Sequence, residues 1–97
     1  MRAAIDIILL DADWRPRRRL RQPGDWRDAI GALLRHDGGW FAIEQRRADG
    51  DDILPSRNDI ALTRALHRRL RPLEILLADH VIRAGDRTFS FRAAGLL

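Results

Sequence analysis

The stretch from Leu54 to Leu73 constrains the fold most, because both ends of one helix are written into it. Pro55 and Ser56 interrupt whatever precedes them, and Ser56 is placed to cap a helix. Asp59 can reach back toward the cap, a capping box with Asp in the Glu/Gln place. Pro72 disfavours helical geometry at the residue before it, so the helix runs Ser56–Arg71. Leu62, Leu66 and Leu70, with Ala61, Ala65 and Leu73 beside them, predict its apolar face. Such a face must be buried against another layer.

The rest of the chain supplies that layer. Ala3–Asp11 reads as a strand with Ile5, Ile7 and Leu9 on one face and Ile8 and Leu10 on the other, so it belongs inside a covered sheet. Asp11-Ala12-Asp13-Trp14 has turn composition, and Arg15–Arg21 returns as a partner strand closed by Gln22-Pro23-Gly24. Asp25 is placed as the cap of a helix over Trp26–Arg35, with Asp28 in its first turn and Trp26, Ala29, Ile30, Leu33 and Leu34 as its core stripe. His36-Asp37-Gly38-Gly39 ends it. Trp40–Glu44 predicts a short strand and Gln45–Leu54 a long polar loop. Leu76–Arg83 predicts a strand, Gly85-Asp86 a turn and Thr88–Arg92 its partner, with an apolar tail over Ala93–Leu97. The order is β-β-α-β-α-β-β: an α/β domain with a mixed sheet and two main helices, with Leu33, Ile43 and Leu66 in its core.

The 97 residues suit one small domain, residues 1–97, and no apolar run approaches membrane-spanning length. With no cysteine there is no disulfide, thiolate nucleophile or zinc finger, and a cytoplasmic setting fits. The start of the chain carries Asp6 within its apolar run and lacks a cleavage-site pattern, which argues against a secretory signal. All the basic side chains are Arg, and the net charge is +4. That balance permits an acidic partner without requiring one.

Three segments carry a family resemblance: Arg46-Arg47-Ala48-Asp49-Gly50-Asp51-Asp52-Ile53-Leu54-Pro55-Ser56-Arg57, then Ala78-Asp79-His80-Val81-Ile82, then Phe89-Ser90-Phe91-Arg92 with the closing Gly95-Leu96-Leu97. Together they resemble the RadC family, the bacterial branch of the JAB/MPN domains. Active members carry His-x-His, then Pro-Ser-Gly-Asp, a short spacer, Pro-Ser-Arg and an Asp that completes a zinc site. Aligned on Pro55-Ser56-Arg57, the resemblance puts Asp59 on the metal-ligand aspartate, Arg46 and Ala48 on the two histidines, and Gly50 on the serine. The motif glutamate has no acidic match within Arg15–Arg21. The resemblance is specific from Pro55 to Leu97 and looser before it, and the chain is short against the family. It implies a JAB/MPN fold without the family's zinc and therefore no cofactor, because a cation and a methyl group stand where imidazoles are needed.

Three functions are weighed against one another. The first is a catalytically degenerate RadC-like JAB domain serving as a binding or scaffold module for a protein partner, in a family traditionally linked to DNA repair. The second is nucleic-acid binding through Arg15, Arg17, Arg19 and Arg21, which share one face of an extended strand at spacings of about 6.6 Å, flanked by Trp14 and Trp26. A solvated edge strand protected by charge explains the same residues. The third is a metal-dependent hydrolase with a site rearranged onto Asp49, Asp51, Asp52 and Asp59. The lost imidazoles argue against it, and an acidic loop facing water accounts for those carboxylates. His36, His67 and His80 are scattered, with no nucleophile–base arrangement.

Overall fold

The computed structural model describes residues 4–21, 26–37 and 39–97. Ala3, the Gln22-Pro23-Gly24 closure, the Asp25 cap and Gly38 lie outside the described residues, as does the Trp26 side chain.

The first apolar run forms β1 (Ala4–Leu10), followed by β2 (Pro16–Arg21), α1 (Trp26–Leu34), β3 (Trp40–Arg47), α2 (Arg57–Leu70), a 3₁₀ turn over Arg71–Leu73, β4 (Leu76–Ala84) and β5 (Arg87–Ser90). The expected element order holds. The five described strands form one sheet in the order β2-β1-β3-β4-β5. Neighbours are antiparallel except β3 and β4, which run parallel. A parallel pair needs a crossover, and α2 provides it. β1 is interior, pairing with β2 and β3, as its two apolar faces require.

Alternation along the strands sorts side chains into two faces. Ile7 and Leu9 of β1, Phe41 and Ile43 of β3, and Leu77 of β4 form one buried cluster with Ala29 and Leu33 of α1 and Leu70 of α2. Both helices therefore cover the same face. Leu33 and Ile43 are buried, and Leu66 is half-buried against the cluster.

The helix stripes differ from the sequence expectation by a rotation. Leu62 is 62% exposed, while Thr63 and Leu70 are buried. Repeats of four drift around a helix, so Leu62 turns outward, and Thr63 turns inward because His80 gives its hydroxyl a partner. In α1, Leu34 faces solvent and the small Ala32 is buried instead. Leu73 is exposed because it lies in the 3₁₀ turn beyond the helix.

Strand β3 runs three residues further than Trp40–Glu44. Gln45 and Arg46 pair with Ile5 and Ala4 of β1, and Arg47 pairs with Ala84 of β4. Backbone pairing on both sides overrides the polar composition there. At the far end, β5 stops at Ser90 rather than Arg92, because the chain turns over: Ala94 N–H donates to Ser90 O and Leu96 N–H to Phe91 O. Asp79 holds that turn, accepting from the Ser90 hydroxyl at 2.5 Å and the Arg92 amide at 3.0 Å. Among the described residues no helix is long and apolar enough to cross a membrane.

Candidate functional site

The start of α2 is built as its sequence indicates. Ser56 Oγ accepts from the Asp59 amide at 3.0 Å, and Asp59 Oδ2 accepts from the Ser56 amide at 2.9 Å. The same Oδ2 meets Arg47, whose Nη2 lies 3.2 Å away. Arg47 also donates from Nη1 to the carbonyls of Asp52 at 2.7 Å and Leu54 at 2.9 Å. One guanidinium thus fastens the end of β3, the following loop and the first turn of α2 together.

Arg47 reaches Asp59 because odd-numbered β3 residues face the helices. Gln45 shares that face, with Oε1 3.3 Å from Nε2 of His80. The Thr63 hydroxyl lies 2.8 Å from His80 Nδ1, and the ring stacks on Phe91 with centroids 4.2 Å apart. Burial lowers the His80 imidazole to about 4, against the upward pull of Asp59 and Asp79. The ring is neutral at pH 7. Its Nε2–H donates to the Gln45 carbonyl oxygen, and its Nδ1 accepts from Thr63.

Arg46 goes the other way. Its Nη1 lies 2.7 Å from Asp6 Oδ2 and 3.3 Å from Glu44 Oε1, on the sheet face away from the helices. Arg19 joins them, 2.7 Å from Asp6 and 2.9 Å from Glu44, and Arg83 Nε lies 3.1 Å from Glu44 Oε2. The Asp6 side chain is fully buried beneath these arginines. Burial pushes the Glu44 carboxyl up, but hydrogen bonds from Arg19 and Arg83 outweigh it, and the net shift is downward. Arg19 and Arg46 are raised further, chiefly by their hydrogen bonds to Asp6. Arg46, which the resemblance aligns with the first histidine, thus faces away from Asp59, and Arg47 is the residue that meets it.

The loop carboxylates do not converge on Asp59. Asp49, Asp51 and Asp52 are exposed, and Asp52 Oδ1 accepts from the Leu54 amide. Among the described residues no three His, Cys, Asp or Glu side chains stand close enough to hold a metal ion together.

The arginine row of β2 is broken as well. Register shifts between Leu9 and Leu10, leaving Arg17 without a Cα partner, and Arg17 pairs with Asp11 at 3.3 Å. Arg19 is committed to Asp6 and Glu44. Arg15 and Arg21 stay exposed. Trp14 leans on Trp40, with centroids 5.1 Å apart, and lies under the Arg92 guanidinium at 5.2 Å. The sequence drew no attention to Gln45, Arg47 or Glu44. Only the extended strand, with its alternating faces, could have singled them out.

A family model described as a RadC-like JAB domain matches residues 42–96. A UPF0758 protein of Rhodobacter capsulatus is 32% identical over 71 residues, which is 73% of this chain and 33% of that relative. The chain therefore spans about a third of that relative's length. The match takes in β3 from Ala42 onward, the Arg47–Asp59 connection, α2, β4 and β5, on a five-stranded mixed sheet with two helices. The chain belongs to the RadC-like JAB domain family.

Proposed function

We propose that this chain is a metal-free RadC-like JAB domain that serves as a binding or scaffold module, with an ion pair where active members hold zinc. The observation that carries it is the Arg47 guanidinium on the Asp59 carboxylate. A cation already neutralises the one ligand that the resemblance retains, and Arg47 offers only N–H donors where a lone pair is required. Gln45 is occupied with His80. The residues beside Asp59 do not fit a zinc ion.

The faces of β3 also support a revised register for the motif. One extra residue in the spacer before Pro55 lets Gln45-Arg46-Arg47 take the His-x-His positions. Ala48-Asp49-Gly50-Asp51 then takes the Pro-Ser-Gly-Asp positions, so the family glycine falls on Gly50. Gly50 has φ of +92°, a conformation that favours glycine. The two imidazole positions then share the face that Asp59 approaches, as a metal site requires.

Zinc content after expression in zinc-supplemented medium tests this directly. The expected result is well under one equivalent. Stoichiometric zinc in the purified protein that disappears in Asp59→Ala overturns the proposal.

A further inference from the structure

A shallow groove of about 430 Å³ runs along the outer side of α2, lined by Arg57, Ile60, Ala61, Arg64 and Arg68. Steps of seven and four residues return to nearly the same bearing on a helix, so the three arginines stand in one row. Ala61 lies in that row and Ile60 beside it, which puts a small apolar floor between the cations. Arg57, Ala61, Arg64 and Arg68 are exposed, and among the described residues of α2 only Thr63 and Leu70 are buried. The three arginines form no ion pair with a described carboxylate. Asp59 is the one acid on α2, and it is turned to Arg47 at 3.2 Å. The helix that carries the row is fixed at its start by the Ser56–Asp59 cap and in its middle by Thr63 on His80.

We infer that this face of α2 docks an acidic amphipathic helix of a protein partner. Charge complementarity selects the acid, because three cations that internal pairing does not use face solvent along one side of the helix. Their spacing selects a helix. Arg57 and Arg64 lie about 10 Å apart along the axis, and Arg64 and Arg68 about 6 Å. Carboxylates seven and four residues apart on a second helix repeat those distances. Ala61 is small enough to let the second backbone approach, and an apolar side chain of the partner can settle on Ile60. A phosphodiester backbone matches the cations but has nothing to set on that floor. Nor does α2 carry a Phe, Tyr or Trp for bases to stack on. Because α2 is already fixed, docking orders little beyond the arginine side chains. The inference deepens the reading of the chain as a binding module, and rests on that reading for the expectation of a protein partner.

The probe is a labelled helical peptide of about 18 residues, with Glu at two positions seven apart, a third Glu four further on and Leu on the same face between them. A reordered peptide of the same composition spreads its Glu round the helix. Binding of each is followed by fluorescence anisotropy at low ionic strength, beside a single-stranded oligonucleotide. The protein should prefer the ordered peptide by about fivefold or more. Arg64→Glu, Arg68→Glu should weaken that peptide about tenfold or more, and Arg15→Glu, Arg18→Glu, the same change of charge on the β1–β2 hairpin, far less. A peptide with Arg in place of Glu should bind the Arg64→Glu, Arg68→Glu protein in preference to the parent. Ala61→Gln keeps the charge and fills the floor, so it should weaken the ordered peptide about threefold or more. Equal binding of the two peptides, or equal loss in both double variants, would report net charge alone and overturns the inference. So does binding of neither peptide. An oligonucleotide that binds more tightly than the ordered peptide, loses affinity in Arg64→Glu, Arg68→Glu and ignores Ala61→Gln overturns it in favour of a phosphodiester backbone. Stoichiometric zinc held by Asp59 would overturn the metal-free reading and leave this inference standing, while zinc-free protein that ignores the peptides does the reverse.

Discussion

The Thr63 hydroxyl stands 2.8 Å from Nδ1 of His80, joining the middle of α2 to β4 inside the layer between helix and sheet. This contact turns a polar helix residue inward in place of Leu62, and burial in the same layer holds His80 in its neutral form.

Stability should therefore fall when the solution is acidified well before the carboxylates titrate. The folded His80 value of about 4 lies below the ordinary 6.5, so the unfolded chain takes up the proton first. The stabilisation is complete above about pH 6.5, declines as pH falls from there, and is gone below about pH 4. The expected loss across that window is about 2–3 kcal/mol. Glu44 is depressed, so its contribution persists to lower pH and is lost only as pH falls through its folded value. Urea denaturation at pH 7, 5.5 and 4 measures the first window, and His80→Gln should remove most of its slope. An unchanged slope in that variant would mean that another group governs it.

The Asp6 network predicts unequal costs for its members. Asp6 is fully buried under Arg19 and Arg46, so Asp6→Ala takes the nearer of two carboxylates from both guanidiniums, leaving them Glu44 alone, and should cost about 3 kcal/mol. Arg83 meets the same cluster from a half-exposed position, and Arg83→Ala should cost about 1 kcal/mol or less. Chemical denaturation of the two variants at neutral pH compares them directly. Equal costs would show that the cluster is not the buried anchor of the open sheet face.

What the sequence made legible was local. The Ser56–Asp59 capping box, the stop before Pro72 and the order of strands and helices each depend on residues a few positions apart. What it hid was set across the sheet. Asp6 stands in an apolar run and is buried because Arg19 and Arg46, distant in sequence, come to it. Gln45, Arg46 and Arg47 resemble the start of a polar loop, and only pairing with β1 and β4 keeps them in a strand. The alignment that puts Arg46 and Ala48 on the histidine positions was made with the shorter strand. With β3 ending at Glu44, nothing distinguished Arg46 from Arg47, although the two point to opposite faces.

Rebuilding the metal site decides between the two registers. The double variant Gln45→His, Arg47→His places two imidazoles on the helix-facing side of β3 beside Asp59 and removes the guanidinium that now neutralises it. That makes a three-ligand set with one position open, the arrangement of zinc sites that bind water. The alternative pair, Arg46→His with Ala48→His, sets its first imidazole against Asp6 and Glu44 on the opposite face, away from Asp59. Zinc titration by calorimetry should show the first variant gaining affinity, on the order of a hundredfold over the parent, and losing it when Asp59→Ala is added. The second variant should gain none that depends on Asp59. Peptidase activity should not return in either, because β2 offers no carboxylate for the general base among Arg15–Arg21. If the second variant binds zinc through Asp59 and the first does not, the histidine positions belong to Arg46 and Ala48 after all. If neither binds, Asp59 serves only to cap α2, and the likeness to the metal-ligand aspartate is confined to sequence.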